Sequence, residues 1–161
     1  MKTIVHTERE QIEAVIEACD VCFIGMADTD ATPYVLPMNF ACLDGTVYFH
    51  SAQEGRKIDI LERNPNICIT FCSVDKLVRQ HPDVACSYSM HAISVVAWGK
   101  VVYETDLDRK TEILNIFMKR YTGKTFQYAS PAIRNVKIWK VRLDKLSCKE
   151  TGVSSNNPHT F

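Results

Sequence analysis

The sequence lacks three features that would assign a function class directly. It has no net charge, because 19 acidic residues balance 19 basic residues among its 161, so no overall field draws it to nucleic acid or to an anionic membrane. It has no apolar run near the ~20 residues that a membrane-spanning helix needs. Residues 1–6 carry no long apolar core of the signal-peptide kind. We therefore expect a cytoplasmic protein with no nucleic-acid or membrane partner.

The chain also lacks a paired cysteine pattern, although it holds seven cysteines. Most lie inside apolar, strand-like runs, where a reduced cysteine behaves as a small hydrophobic residue. Cys19 and Cys22 have C-x-x-C spacing, but they fall between a helix end and a strand, whereas a thioredoxin-type pair opens a helix. A zinc site would need two cysteines and two histidines whose gaps match no familiar ligand spacing: Cys72, His81, Cys86 and His91. We predict no disulfide framework and no metal site.

Nothing in the sequence indicates a second domain, since it contains no internal repeat and no low-complexity segment. A chain of 161 residues with 46% hydrophobic residues can bury a core as one compact unit. We predict one domain over residues 1–152. The polar residues 154–158 predict a loose C-terminal tail over 153–161.

Hydrophobic alternation and turn residues predict six strands that run mostly from hairpin to hairpin. The strands cover 22–27, 34–41, 46–50, 67–72, 87–104 and 136–143. Pro37 marks the second of them as an edge or a bulge, because proline cannot donate a ladder hydrogen bond. Residues 74–85 are polar and are interpreted as a loop. With helices at the start, between strands and late in the chain, the pattern is typical of an α+β domain on an antiparallel sheet, closed into a small barrel.

The segment after the third predicted strand carries the strongest local signal. Ser51 and Glu54 have the S-x-x-E spacing of a capping box, which predicts a helix from about Ala52. Pro65 ends that helix, because proline disfavours helical geometry in the residue before it. The helix thus covers about 52–63.

Two adjacent cations, Arg56 and Lys57, fall in the second turn of this predicted helix. Helical side chains lean toward the N-terminus, where free backbone N–H groups and the helix dipole already favour an anion. Two charge-assisted contacts to a phosphate would outweigh the small dipole contribution. The alternative is a solvated Arg-Lys pair on an ordinary helix, and the segment alone leaves both interpretations open.

Six sequence elements follow one another in a familiar order. They are Gly25-Met26-Ala27, Pro33 to Phe40, Val47 to Ala52, Gly55-Arg56-Lys57, Asn64-Pro65-Asn66 and Ser94 to Lys100. This order resembles the flavin-binding split-barrel proteins related to pyridoxamine 5′-phosphate oxidase, and within them the nitroimidazole-resistance branch. The resemblance covers roughly residues 8–150. Its most specific element is H-S-A-x-x-G-R-K at 50–57, followed by N-P at 64–65.

The resemblance implies a fold, an assembly and a cofactor. The fold would be an α+β, six-stranded antiparallel split β-barrel with flanking helices. Two copies would form a homodimer with flavin at the subunit interface. The flavin would be FMN, although FAD would share the same phosphate anchor.

The resemblance also implies roles for particular residues. Ser51, Arg56 and Lys57 would hold the flavin phosphate, with His50 beside them. His50 either makes one structural hydrogen bond or acts as the catalytic residue in proton transfer near neutral pH. The remaining cofactor contacts carried over are Leu36, Pro37, Met38, Asn39 and Ser94. For Asn39 and Ser94 the alternatives are an ordinary strand-end residue and a small filler in a tight barrel.

The function implied is a flavin-dependent reductase that passes electrons from a donor to a small electron-poor substrate such as a 5-nitroimidazole. One alternative is a pyridoxamine 5′-phosphate oxidase-type enzyme. That oxidase carries a C-terminal R-L-x-P-type segment, whereas residues 142–145 read Arg-Leu-Asp-Lys with no proline. The other alternative is a non-catalytic split barrel that binds haem or a deazaflavin.

Overall fold

The computed structural model describes residues 2–153, which form nine β-strands and four α-helices. The strands are β1 (Lys2–His6), β2 (Cys22–Ala27), β3 (Pro33–Met38), β4 (Ala41–Leu43), β5 (Thr46–Ser51), β6 (Asn66–Arg79), β7 (Tyr88–Glu104), β8 (Lys137–Arg142) and β9 (Lys145–Val153). The helices are α1 (Arg9–Glu17), α2 (Arg56–Arg63), α3 (Leu107–Thr122) and α4 (Ser130–Arg134). A short 3₁₀ turn, Ala85–Ser87, lies between β6 and β7.

All the strand pairs are antiparallel, and most follow the order β3-β2-β6-β7-β8-β5-β4. Strand β7 belongs to both halves of the barrel, because residues 92–98 pair with β9 and residues 101–104 pair with β8. Strand β1 adds to the outer side of β9. The predicted α+β antiparallel split-barrel fold is confirmed.

The barrel interior is one apolar cluster to which both halves contribute. Trp139, Phe49 and Phe71 are fully buried in it, together with side chains of β2 and β7. Helices α1 and α2 add Ile16 and Leu61 to the same cluster. Helix α3 packs elsewhere, on the outer side of β4, β5 and β8, in a second cluster with Tyr48 and Ile138. Strands β1, β9, β7, β6, β2 and β3 form the larger of the two sheets of the barrel, which we call the large sheet. Its outer side is free of α3.

Local sequence signals fix several of these elements. Asp44 and Gly45 both have positive φ, 50° and 71°, which is the geometry of the tight turn that joins β4 to β5. The Asp106 carboxylate accepts a hydrogen bond from the Arg109 backbone N–H at 2.8 Å and so caps α3. Helix α2 ends at Arg63, immediately before Asn64 and Pro65, as predicted.

The loop predicted at 74–85 is wrong over its first half. Strand β6 continues to Arg79 and pairs with the start of β7, with a register shift between Val74 and Lys76. We call residues 76–90 the β6–β7 arm. Its residues are largely exposed on both faces, so they lack the apolar–polar alternation by which half-buried strands are recognised.

Strands β1 and β9 have no counterpart in the prediction, and the predicted strand 34–41 is two strands, because β3 ends at Met38 and β4 begins at Ala41. The alternation along β9 is hidden because the charged residue Glu150 occupies one of its buried positions, only 2% exposed. Val153, assigned above to the loose tail, is the buried last residue of β9 and pairs with Lys2. The rest of the predicted tail, 154–161, lies outside the described residues. Over residues 2–153, no helix combines the length and the apolar character that crossing a membrane requires.

Candidate functional site

Helix α2 begins at Arg56, so the predicted start at Ala52 is wrong. Strand β5 runs through Ser51, and the Ser51 hydroxyl donates to the Ala52 carbonyl at 2.8 Å and accepts from the Trp139 indole N–H at 3.0 Å. It therefore forms no capping box. The residue before the helix is Gly55, whose φ of 122° and ψ of 165° lie in a region that L-residues rarely adopt.

Arg56 and Lys57 are consequently the first two residues of the helix rather than members of its second turn. The backbone N–H groups of Ile58 and Asp59 both bond to the Gly55 carbonyl, at 2.7 and 3.1 Å. The N–H groups of Arg56 and Lys57 are then the ones that point out of the helix end. Neither cation forms an ion pair with any residue in the range 2–153. Two amides, two cations and the positive end of the helix dipole suit an anion.

The first residue of α2 contacts the strand predicted to line the flavin ring. The Arg56 guanidinium lies 4.9 Å from the centre of the Tyr34 ring, on β3, a cation–π contact. The predicted phosphate end and the predicted ring contacts at 36–39 therefore meet at one corner of the barrel. Tyr34 could not be predicted as a site residue from the sequence, because a contact between positions 34 and 56 leaves no local signal.

Strand β3 is an edge strand, which confirms the interpretation of Pro37. It stands at one end of the sheet order and pairs with β2. Pro33 and Pro37 have no N–H, so neither can donate a ladder hydrogen bond to β2. Every second residue of a strand directs its N–H and C=O to the same side, so the backbone groups of residues 33, 35 and 37 point away from β2. The free edge therefore offers the Val35 N–H and C=O and the Pro37 carbonyl.

The predicted ring contacts divide accordingly into two kinds. Leu36 and Met38 have partly buried side chains that pack against the barrel core, so their side chains serve packing. Pro37 and Asn39 are exposed. If this edge lines a ligand, the backbone of the strand and the Asn39 side chain make the polar contacts.

His50 and Ser51 point to opposite sides of β5. The His50 ring stands edge-on against Phe117 of α3, with ring centres 4.8 Å apart, whereas Ser51 is directed toward Trp139 in the barrel. The His50 ring keeps solvent contact, yet burial by the surrounding protein atoms lowers its pKa. A neutral imidazole at pH 7 can accept a proton, but it does not lie beside the Ser51 hydroxyl.

Ser94 lies on the outer face of the large sheet, where it pairs with Cys72 of β6. Strands β6 and β2 separate β7 from β3. Three strand spacings put Ser94 roughly 14 Å from the edge strand. One copy of the chain therefore brings Arg56 and Lys57 close to β3 but leaves Ser94 apart from both.

The Cys19–Cys22 pair does not have the chemistry of a redox site. Burial raises the pKa of the Cys19 thiol and that of Cys22, the latter to about 12, so neither is the reactive thiolate of a redox pair. Residues 2–153 contain no group of three or more His, Cys, Asp and Glu side chains arranged to hold a metal ion. A cavity of about 570 Å³ beside α1 and α3 has Cys42 and Arg120 in its lining, and none of the predicted site residues.

Comparison with known proteins bears on this geometry. A family model described as pyridoxamine 5′-phosphate oxidase matches residues 8–150. The crystal structure of a candidate 5-nitroimidazole antibiotic resistance protein from Bacteroides thetaiotaomicron is 46% identical, with a TM-score of 0.84 over 92% of this chain and 87% of that one. No curated protein sequence matches.

Two more distant structures share the fold. The flavocytochrome Anf3 from Azotobacter vinelandii is 22% identical, with a TM-score of 0.80 over 92% of this chain and 70% of that one. The FAD and haem binding protein from Mycobacterium smegmatis is 14% identical, with a TM-score of 0.83 over 98% and 77%. The family model spans nearly the whole barrel, and the 46% identical structure covers the same region. The chain therefore belongs to the pyridoxamine 5′-phosphate oxidase family.

Proposed function

We propose that this chain is a cytoplasmic, FMN-dependent reductase of small electron-poor compounds such as 5-nitroimidazoles. The observation that carries the proposal is the start of α2, where two cations without ion-pair partners among residues 2–153 share a helix end with two outward-pointing amides. Such a donor set suits a phosphate. Family membership and the likeness to a candidate nitroimidazole resistance protein support the proposal that this phosphate belongs to a flavin.

The residues present fit the rest of a flavin as well. The free edge of β3 offers both N–H and C=O groups, which match the alternating donors and acceptors on the polar edge of the ring. When bound, the flavin supplies two-electron transfer between a donor and the substrate. The chain's part is to hold the phosphate through Arg56 and Lys57 and to orient the ring along β3.

We also propose that two copies associate through the outer face of the large sheet. The register puts a set of exposed apolar side chains on this face. They are Phe23, Val35, Val74, Leu77, Met90 and Trp98, each at least 39% exposed. Exposed apolar side chains gathered on one face are typical of interaction sites. Ser94 lies on the same face. In a dimer formed through this face, Ser94 of one copy could therefore contact a flavin whose phosphate is bound at α2 of the other copy.

The test of the phosphate site compares FMN with riboflavin, which lacks the phosphate. We expect the double variant Arg56→Ala/Lys57→Ala to lose about 100-fold or more in FMN affinity, because two charge-assisted contacts are removed. Riboflavin affinity should stay unchanged. Isothermal titration or quenching of flavin fluorescence measures both constants.

A matched control removes two cations elsewhere, as Lys124→Ala/Arg142→Ala, and should bind FMN like the wild type. Equal FMN affinity in the Arg56/Lys57 variant and the control would contradict the phosphate role.

The enzyme role has its own test: reduced flavin on the protein should be reoxidised when a 5-nitroimidazole is added without oxygen. A haem band in the absorption spectrum of the purified protein, or peroxide formed from pyridoxamine 5′-phosphate, would favour the alternatives.

A further inference from the structure

The indole N–H of Trp139 contacts Ser51, the residue that the family resemblance assigns to the flavin phosphate beside Arg56 and Lys57. Its side chain is fully buried at the centre of the barrel, with the Phe49 ring 5.5 Å away. Its indole N–H donates to the Ser51 hydroxyl at 3.0 Å. In the pairing of β5 with β8, Trp139 stands opposite Phe49 and Ser51 stands opposite Lys137. The bond therefore runs diagonally across two neighbouring strands, from the barrel core to the end of β5, where residues 52–55 lead into α2.

The Ser51 hydroxyl has one hydrogen and two acceptor positions. Trp139 occupies one acceptor position, and the hydrogen is directed to the Ala52 carbonyl at 2.8 Å. Ala52 is exposed, whereas Trp139 is not. A phosphate has only acceptors when it is ionised, so it competes with the Ala52 carbonyl for the hydrogen and leaves the indole bond untouched. This part-buried bond thus fixes the oxygen, while the hydrogen can turn from the Ala52 carbonyl to another acceptor.

We propose that Trp139 is a positioning residue for the phosphate site: its indole N–H holds the Ser51 oxygen in place, so that the hydroxyl can turn its hydrogen from Ala52 to a bound phosphate. The inference rests on the proposed function and extends it to a residue with no phosphate contact of its own. A hydroxyl that accepts a hydrogen bond is also a better donor, because hydrogen bonds in a chain polarise one another.

The test is Trp139→Phe, which keeps an aromatic ring beside Phe49 and removes the N–H. We expect FMN affinity to fall about tenfold, in the range for loss of one hydrogen bond to a charged group, while riboflavin affinity stays unchanged. Ser51→Ala should show the same selective loss, and Ser51→Thr, which keeps the hydroxyl, should restore FMN binding. The double variant Trp139→Phe/Ser51→Ala should bind FMN no more weakly than Ser51→Ala, because both changes remove the same interaction.

Equal losses for FMN and riboflavin would overturn the inference, because they would indicate damage to the barrel rather than to the phosphate contact. Unchanged FMN affinity in Trp139→Phe would overturn it too, and so would additive losses in the double variant. The Arg56→Ala/Lys57→Ala variant separates this inference from the proposed function. If Arg56→Ala/Lys57→Ala loses the preference for FMN over riboflavin but Trp139→Phe keeps it, the phosphate site is supported and the role of Trp139 is contradicted. If both variants keep that preference, the phosphate site and the role of Trp139 are both contradicted.

Discussion

Glu150 is a carboxylate inside the large sheet, with only 3% of its side chain exposed. It contacts the ring nitrogens of His6 and His91, each at 2.8 Å. Burial by itself raises the pKa of Glu150, but the hydrogen bonds from His91 and His6 outweigh burial and lower that pKa below its ordinary value. A carboxyl with a lowered folded-state pKa stabilises the fold above its unfolded pKa and loses that contribution as pH falls. We therefore expect the free energy of unfolding to drop below about pH 4.3, the ordinary Glu value.

Urea denaturation at pH 7 and pH 4 measures this contribution against the variant Glu150→Gln. At pH 7 the variant should be less stable by about 2 kcal/mol, the range for hydrogen bonds to a charged group. Its stability should also depend less on pH than that of the wild type. Glu112→Gln, on the exposed face of α3, is the matched control and should behave like the wild type. Identical pH slopes in the wild type and Glu150→Gln would refute this role for Glu150.

At the scale of elements, the structure separates what sequence can predict from what it cannot. The strands with one buried face carry a local alternation signal, and they were predicted, as was a helix late in the chain. The helix start at Ala52 was wrong because the S-x-x-E pattern at 51–54 cannot reveal that Ser51 is engaged by Trp139, far away in sequence. The same limit hides Tyr34 beside Arg56, whereas the Arg-Lys pair itself is visible in the sequence.

The start of α2 depends on the backbone of Gly55, and this gives a prediction for the element. A Cβ at this position would meet no atom within 4 Å, so any cost arises from φ of 122° rather than from crowding. We expect Gly55→Ala to destabilise the fold by about 1–3 kcal/mol, the usual strain of such a conformation. FMN affinity should fall with it, because the Arg56 and Lys57 amides would turn. Urea denaturation and FMN titration give the two readouts.

Gly25→Ala is the matched control. Gly25 lies in β2 with no positive φ, and its Cβ would meet the Cys68 carbonyl oxygen at an ordinary 3.6 Å. That variant should keep wild-type stability and FMN affinity. Wild-type FMN affinity in Gly55→Ala would mean that the helix start does not set the geometry of the site.

At the scale of the whole molecule, the outer face of the large sheet is where a second copy, as proposed above, would bring the predicted site residues together. Ser94 is roughly three strand spacings, about 14 Å, from β3, yet it shares a face with the exposed Phe23 and Trp98. If a second copy covers this face, Ser94 of one copy and the α2 corner of the other can line one flavin. The assembly then completes the site, and flavin binding should depend on it.

The double variant Phe23→Glu/Trp98→Glu tests that dependence, because it places charges on the apolar face without removing a buried side chain. Sedimentation velocity should find a dimer for the wild type and a monomer for the variant, and the monomer should bind FMN more weakly. Phe126→Glu is the matched control: Phe126 is 43% exposed, near the 49% of Phe23, but it follows α3, so this variant should remain a dimer. A monomeric wild type, or a variant that stays dimeric, would contradict this interface; a monomeric variant with full FMN affinity would show that one copy holds the flavin alone.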